Sequence, residues 1–473
     1  MKQPATPESP SKTVVIAVCA AWCAVLTVSA VLRPLQLDEV MQLIGTRVPL
    51  PASVFDWMRH SPGSVPIGYL LQWVLVRVAG FSNFIARLPS IAALFLTLFA
   101  MLRIGARIGI RGVEVLPFIA ALTPMLFRYS IEGRPYLPAF CLIAFATLLL
   151  LQFAEAGEGR PALWRLGVYT LMLTTAPLLQ GTAASVTLAH ALFVLTDRSM
   201  RRDRSRQISI ITAIAASLML PIAWSLRMRG AWAQAIAHDG YTFSFTLRTA
   251  AGFLKDLSGG GLVVTALLVI AAIYGCVPSA QAEGSVVRDR QRDAVPRSAR
   301  HLLGLTALTA ICGAVASDAL AGYFTSPRQA IYCLCGVIVL AAAGWQRFRS
   351  QYPLPAVLAL GLFAAASLAK DVSVVRSKED WKAGSQMLTQ AVAEGFCLDP
   401  ASDLTSSLPL YSFFDPSLEA HRCVASDRKV GLYHGTYTSP ADRDSAASAL
   451  EIKGFVAAGT RASGGTTLEF YAK

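Results

Sequence analysis

Eleven apolar stretches of membrane-spanning or nearly spanning length constrain this chain more than anything else in it. They cover residues 13–32, 85–102, 113–129, 135–153, 166–179, 182–196, 208–226, 261–278, 302–320, 329–346 and 353–369. A helix needs about 20 apolar residues to cross a hydrocarbon core about 30 Å thick, so most of the 473 residues are committed to lipid. Charged residues make up 15% of the chain, against roughly 25% in soluble domains. The leading MKQPATPESPSK is short, polar and basic, and no small-residue cleavage site follows the first stretch, which is therefore read as a retained span and not a signal peptide.

Charge fixes the expected orientation. Residues 371–473 carry 10 Lys and Arg against 13 Asp and Glu, leaving 32 against 16 for the rest. An excess of this kind in short loops is the positive-inside bias of a membrane protein and gives no reason to invoke nucleic acid. A twelfth apolar stretch, residues 65–79, is short and contains Arg77. If it does not cross, Arg103, Arg107, Arg111, Arg160, Arg165, the arginines of 198–206 and 288–300, Arg347 and Arg349 all fall on the cytoplasmic side. If it crosses, all of them face out. It is therefore expected to lie in the outer interface, within a first external loop over residues 33–84.

The stretches 166–179 and 182–196 are read as a hairpin, because basic residues at both outer ends require an even number of crossings. The expected architecture is an all-α polytopic membrane bundle of about eleven spans over residues 1–370. Its N-terminus is cytoplasmic, and residues 371–473 form a small external α/β domain. In that domain KVGLYHGTY and TTLEFYA alternate like strands, and Ser377 and Asp380 have the spacing of a helix-capping box. Seven of the nine cysteines fall in or beside spans as packing residues. Cys397 and Cys423 are a candidate disulfide in an oxidising compartment. The basic segment 280–300 is expected to be disordered, and Ser258-Gly-Gly-Gly261 reads as a linker. No cysteine and histidine spacing suggests zinc, and His190 reads as a packing residue.

Two clusters at the expected external face carry chemistry. The first is Asp38-Glu39, just beyond the first span. Either the pair is a solvated helix start or, since adjacent helical residues point about 100° apart, one carboxylate lines a cavity while the other holds a cation or a backbone group. The second is Arg128-Tyr-Ser-Ile-Glu-Gly-Arg-Pro-Tyr136. Its charges stand beside hydrocarbon, where each costs on the order of 2.5–3.5 kcal/mol at helix-centre depth. They form either a polar cavity or a loop in which Glu132 neutralises Arg128 or Arg134. Arg328 can serve the same cavity.

Asp38-Glu39, then His60-Ser-Pro-Gly-Ser-Val-Pro-Ile-Gly-Tyr69, Ala86-Arg-Leu-Pro-Ser90 and Tyr129-Ser-Ile-Glu-Gly-Arg-Pro-Tyr136 together resemble the GT-C class of bacterial membrane glycosyltransferases, of the protein mannosyltransferase and aminoarabinose transferase type. The resemblance covers about the first 160 residues well; Ser326 to Tyr332 and Glu379-Asp-Trp-Lys382 fit it less specifically. Family members tend to have His-Pro-Pro-Leu and Glu-Ala-Arg where this chain has His-Ser-Pro-Gly and Glu-Gly-Arg, which obscures the donor and the acceptor.

The resemblance implies membrane-hugging helices in the first external loop, a polyprenyl-phosphate sugar donor, and inverting transfer to a hydroxyl of a glycan, lipid or protein acceptor at the outer face of the bacterial inner membrane. It also implies a carboxylate base, matched to Asp38, with Glu39 beside it. Arg128, Arg134 and Arg328 suit the departing phosphate, because arginine keeps its charge and binds such oxygens in a fork. His60, as either a donor contact or an interfacial histidine hydrogen-bonded in the loop, Glu132 and Tyr136 are expected to complete the substrate-binding set. Glu132 as sugar contact, arginine-orienting group or ligand of a divalent cation is a choice the sequence leaves open. A transporter or flippase would place polar residues and helix breaks at mid-membrane depth, whereas here the charge sits at helix ends. A non-catalytic partner in glycan assembly would be expected to have lost the acidic pair.

Overall fold

The computed structural model describes residues 12–47, 55, 58–59, 64–110, 115–156, 161–238, 247–277, 290–321, 326–376, 379–402 and 407–473. The chain forms two compact units. One comprises Met1–Val28, Phe55–Leu71 and Arg87–Val372; the other comprises Ser29–Val54, Gln72–Ala86 and Ser373–Lys473.

The described helices follow the apolar pattern. They are α1 Lys12–Leu32, α2 Leu37–Ile44, α3 Pro66–Ala79, α4 Asn83–Arg107, α5 Val115–Ala121, α6 Pro124–Ser130, α7 Tyr136–Glu155, α8 Leu163–Leu179, α9 Ala184–Thr196, α10 Arg204–His238, α11 Leu247–Lys255, α12 Gly261–Cys276, α13 Arg290–Ala321, α14 Cys333–Gln351 and α15 Pro353–Val375. This is a multi-pass membrane protein. Among the described residues five helices are long and apolar enough to cross, or six if α1 and α2, bent by 73°, count as one span.

The other apolar stretches form shorter or interrupted helices, for local reasons. The third stretch is broken into α5 and α6 because Pro124 opens α6, and a proline lacks an amide for the preceding turn. The helices α8 and α9 are separated by Gln180 and a 3₁₀ turn at Gly181–Ala183, which leaves each short. The helix α12 has 16 residues, about 24 Å at 1.5 Å per residue. Exposed apolar side chains such as Met219, Leu220 and Ile222 on α10, and Leu354, Val357 and Leu358 on α15, form faces suited to lipid.

Two expectations fail locally. Of the basic segment 280–300, residues 280–289 lie outside the described residues, but from Arg290 the chain is already helical in α13. The cap of the tail helix α16, Trp381–Ala393, is Asp380, whose carboxylate accepts from the Ala383 amide at 3.0 Å; Ser377 is outside the described residues.

In the second unit a four-stranded sheet runs in the order β1 Cys397–Pro400, β2 Lys429–His434, β4 Thr466–Ala472, β3 Val456–Ser463. The pair β1 and β2 is parallel and the other pairs are antiparallel. Strand alternation divides the apolar residues between two faces. One face joins Tyr433, Leu468 and Phe470 to α16, to Tyr411 of α17 Leu408–Ser412, and to Val40 and Leu43 of α2. The other joins Val430, Leu432 and Tyr471 to Leu450 of α18 Pro440–Ile452. Cys397 and Cys423 are joined as a disulfide.

Candidate functional site

In the second unit α2 presents the acidic pair. Its sequence LDEVMQLI turns Val40 and Leu43 into the core, which sets where the carboxylates lie. Glu39 is fully buried, and its Oε2 accepts the Gln36 amide at 3.0 Å, satisfying one of the amides that a helix N-terminus leaves open. Asp38 is half-buried, one step of about 100° round the helix. The next open amide, Leu37, donates to Glu379 Oε2 at 3.0 Å. Glu379 also accepts from the Tyr437 hydroxyl and from Trp381 Nε1 at 3.4 Å. The segment Glu379-Asp-Trp-Lys382 thus fixes the helix that carries Asp38. Negative charge at that end is further favoured by the helix dipole.

In the first unit three of the quoted segments meet. The Ser90 hydroxyl donates to the carbonyls of Glu132 (2.9 Å) and Arg134 (3.1 Å), tying Ala86-Arg-Leu-Pro-Ser90 to the loop of the second cluster. Gly68 lies so close to that loop that a Cβ there would sit 2.8 Å from Pro135 Cγ. Arg128 on α6 lies over the Tyr129 ring at 5.5 Å. Tyr129 meets Tyr136 edge to face at 4.9 Å, and the Arg328 guanidinium lies 6.0 Å from the Tyr136 ring centre. The buried Glu132 approaches Arg128 Nε to 3.8 Å. Arg128, Tyr129, Glu132, Tyr136 and Arg328 therefore form one row of cations on aromatic faces with a carboxylate beside it. Arg134 is half-buried in the same loop, and His60 lies outside the described residues.

The stretch read as a linker instead positions α6. Ser258 is buried, and its carbonyl accepts the Met125 amide at 2.8 Å. Gly259 has φ +75°, and a Cβ on it would meet Met125 N at 2.7 Å, so both backbone conformation and space demand glycine. Asp256, which sequence reasoning missed, accepts the Gly261 amide at 3.3 Å and acts electrostatically on Arg128 together with Glu132 and Arg328. Its signal was an acid just ahead of three glycines.

His190 is a fully buried packing residue, bonded to Tyr169 at 2.9 Å and Thr147 at 3.1 Å. Among the described residues only Cys397, Cys423 and Asp427 cluster with metal-ligand spacing. The two sulfurs there are already bonded to each other, so that group does not suit a metal ion.

Residues 60–224 match the family described as dolichyl-phosphate-mannose-protein mannosyltransferase. Among solved structures, ArnT from Cupriavidus metallidurans bound to undecaprenyl phosphate is similar with TM-score 0.55 and 14% identity, over 97% of this chain and 98% of that one. Its apo form gives 0.53 and 13%, over 98% of both. The arabinofuranosyltransferase AftD from Mycobacteria gives 0.52 and 13%, over 98% of this chain and 40% of that one. The chain has the fold of the GT-C membrane glycosyltransferases. A search of curated protein sequences finds no match. The family match takes in Gly68, Ser90, Arg128, Glu132, Arg134 and Tyr136; Asp38, Glu39 and Arg328 lie outside it.

Proposed function

We propose that this protein is an inverting glycosyltransferase that moves a sugar from a polyprenyl-phosphate carrier to a hydroxyl acceptor at the outer face of the bacterial inner membrane. Asp38 takes the proton of the acceptor hydroxyl as its oxygen attacks the anomeric carbon. The bond from that carbon to the phosphate oxygen breaks, and Arg128, Arg134 and Arg328 hold the charge that collects on the departing polyprenyl phosphate. Glu132 orients Arg128, and Glu39 serves as the cap that sets the angle of α2. With all eleven apolar stretches crossing, the arginine-rich loops share the cytoplasmic side and the tail lies outside.

The observation that carries this reading is the row Arg128–Tyr129–Tyr136–Arg328 with buried Glu132, set in a GT-C fold. Two permanent cations seated on aromatic faces are held for a dispersed anion such as a phosphate. The structural likeness to ArnT bound to undecaprenyl phosphate supports a polyprenyl donor.

The test is binding of a polyprenyl-phosphate sugar to the purified protein in nanodiscs. Arg328→Ala is expected to weaken binding at least tenfold, and Arg328→Lys to recover only part of it, because the forked geometry is lost. Equal binding by wild type and Arg328→Ala removes the phosphate assignment.

A further inference from the structure

The second unit holds a cleft of about 1150 Å³ that the proposed chemistry does not use. One wall is a face of α16. Lys382, Ser385, Gln386, Thr389 and Gln390 line it, and their spacing of i, i+3, i+4, i+7 and i+8 makes one stripe along the helix. The opposite turn of that helix sends Trp381, Met387 and Leu388 into the core. The stripe is thus a built polar surface with its back packed.

The facing walls are aromatic. Phe81 precedes α4, Phe84 lies in its first turn, and Phe413 and Phe414 follow α17. Phe81 meets Phe413 at 5.2 Å and Phe413 meets Phe414 at 5.1 Å, both at right angles. Phe413 is buried while Phe81 is 43% exposed, so the row is anchored inside and open at its rim. Asp415, also in the lining, is fixed from both sides: the Thr389 hydroxyl donates to Oδ2 at 2.6 Å, and the Ser417 hydroxyl and amide donate to Oδ1 at 2.7 and 3.1 Å. These bonds hold the carboxyl below the usual carboxylate range.

Rings, side-chain amides, hydroxyls and a preorganised carboxylate in one cleft match a ligand that has apolar C–H faces and a rim of hydroxyls. A lipid tail would offer no partner to Lys382, Gln386 and Gln390, and the acidic balance of residues 371–473 opposes nucleic acid. The cleft also includes Val31, in the last turn of α1, and the first turn of α4, the ends of two apolar helices. We propose that the cleft between α16 and residues 81–84 is a glycan subsite for the sugar portion of a membrane-anchored acceptor. Assigning it to the acceptor rests on the glycosyl-transfer reading; the binding of a glycan does not.

The test is saturation-transfer NMR on the full chain in nanodiscs. The probes are α- and β-linked disaccharides of hexoses, pentoses and N-acetylhexosamines, with a short neutral peptide as a competing probe. At least one disaccharide is expected to receive saturation from the wild type and from Asp38→Asn. Phe81→Ala and Gln386→Ala, checked for an unchanged melting midpoint, are each expected to weaken it at least tenfold. Gln390→Ala, at an exposed site, replaces either variant that fails to fold. No disaccharide engaged, equal engagement by the cleft variants, or engagement of the peptide alone would overturn the subsite. A protein that binds the disaccharide in this cleft yet never consumes a polyprenyl-linked sugar keeps the subsite and loses the transfer reading.

Discussion

Glu379 is the residue through which the tail controls α2, and replacing it tests that control quantitatively. The residue is 8% exposed, and its carboxylate takes the Leu37 amide at 3.0 Å, with Tyr437 and Trp381 as further donors. A hydrogen bond to a charged acceptor is worth about 1.5–3 kcal/mol, and a negative charge at a helix start adds about 0.3–1 kcal/mol. Opening of α2 in Glu379→Ala should therefore become easier by about 2–3 kcal/mol, which is roughly 30- to 150-fold at 1.4 kcal/mol per decade. Glu379→Gln keeps an oxygen in place and loses mainly the charge, so it should cost about 1 kcal/mol, roughly fivefold. Hydrogen exchange of the peptide covering residues 36–44 reads this opening directly. Transfer should slow in the same order, Ala more than Gln, because Asp38 rides on the loosened helix. Exchange of that peptide in Glu379→Ala within threefold of wild type would refute the reasoning.

Gly259→Ala should lower the melting midpoint, since a left-handed residue with a Cβ costs about 1–2 kcal/mol before the contact with Met125 is counted. Gly230→Ala on α10, where nothing lies within 4 Å, should leave the midpoint level or raise it. Replacing Cys397 and Cys423 together by Ser opens a bridge with a sequence separation of 26 and should destabilise the second unit by about 3–4 kcal/mol on the loop-entropy estimate; its thermal unfolding in the wild type should become sensitive to reductant. Burial lowers the pKa of His434, with Arg443 acting in the same direction and Glu469, at 3.6 Å, opposing them. Folding thus favours neutral His434, whose contribution is present above its ordinary value of 6.5 and is lost as pH falls toward the folded value. The melting midpoint should drop between pH 7.5 and 5.5, and less so in His434→Gln.

The features legible in the sequence were those set by periodicity. Long apolar runs became helices, and TTLEFYA and KVGLYHGTY supplied β4 and β2 because their apolar residues alternate. The strand β1 was hidden by its four residues, one of them Pro400, and β3 by the Ala- and Gly-rich VAAGTRAS, whose side chains are nearly all exposed. Interruptions were harder to see: Pro124 splits an apolar run that composition alone treats as continuous.

At the site, the charged residues themselves were visible because charge beside hydrocarbon is costly, and so conspicuous. Their supports were not. The bond from Ser90 to the Glu132 loop spans 42 residues, and that from Leu37 to Glu379 spans 342; no local pattern encodes such pairings. Ser258-Gly-Gly-Gly261 looked slack for the same reason. A linker and a tight turn share a composition, and only the neighbour at Met125 distinguishes them.

The most direct test of the account is transfer itself. Membranes containing wild-type or Asp38→Asn protein are supplied with native acceptors and a panel of radiolabelled polyprenyl-phosphate sugars, and label leaving the carrier lipid is scored. Loss from one donor is expected with the wild type, and none with a folded Asp38→Asn protein. Full transfer by Asp38→Asn would remove Asp38 as the base, and no transfer from any donor by the wild type would contradict the assignment as a glycosyltransferase.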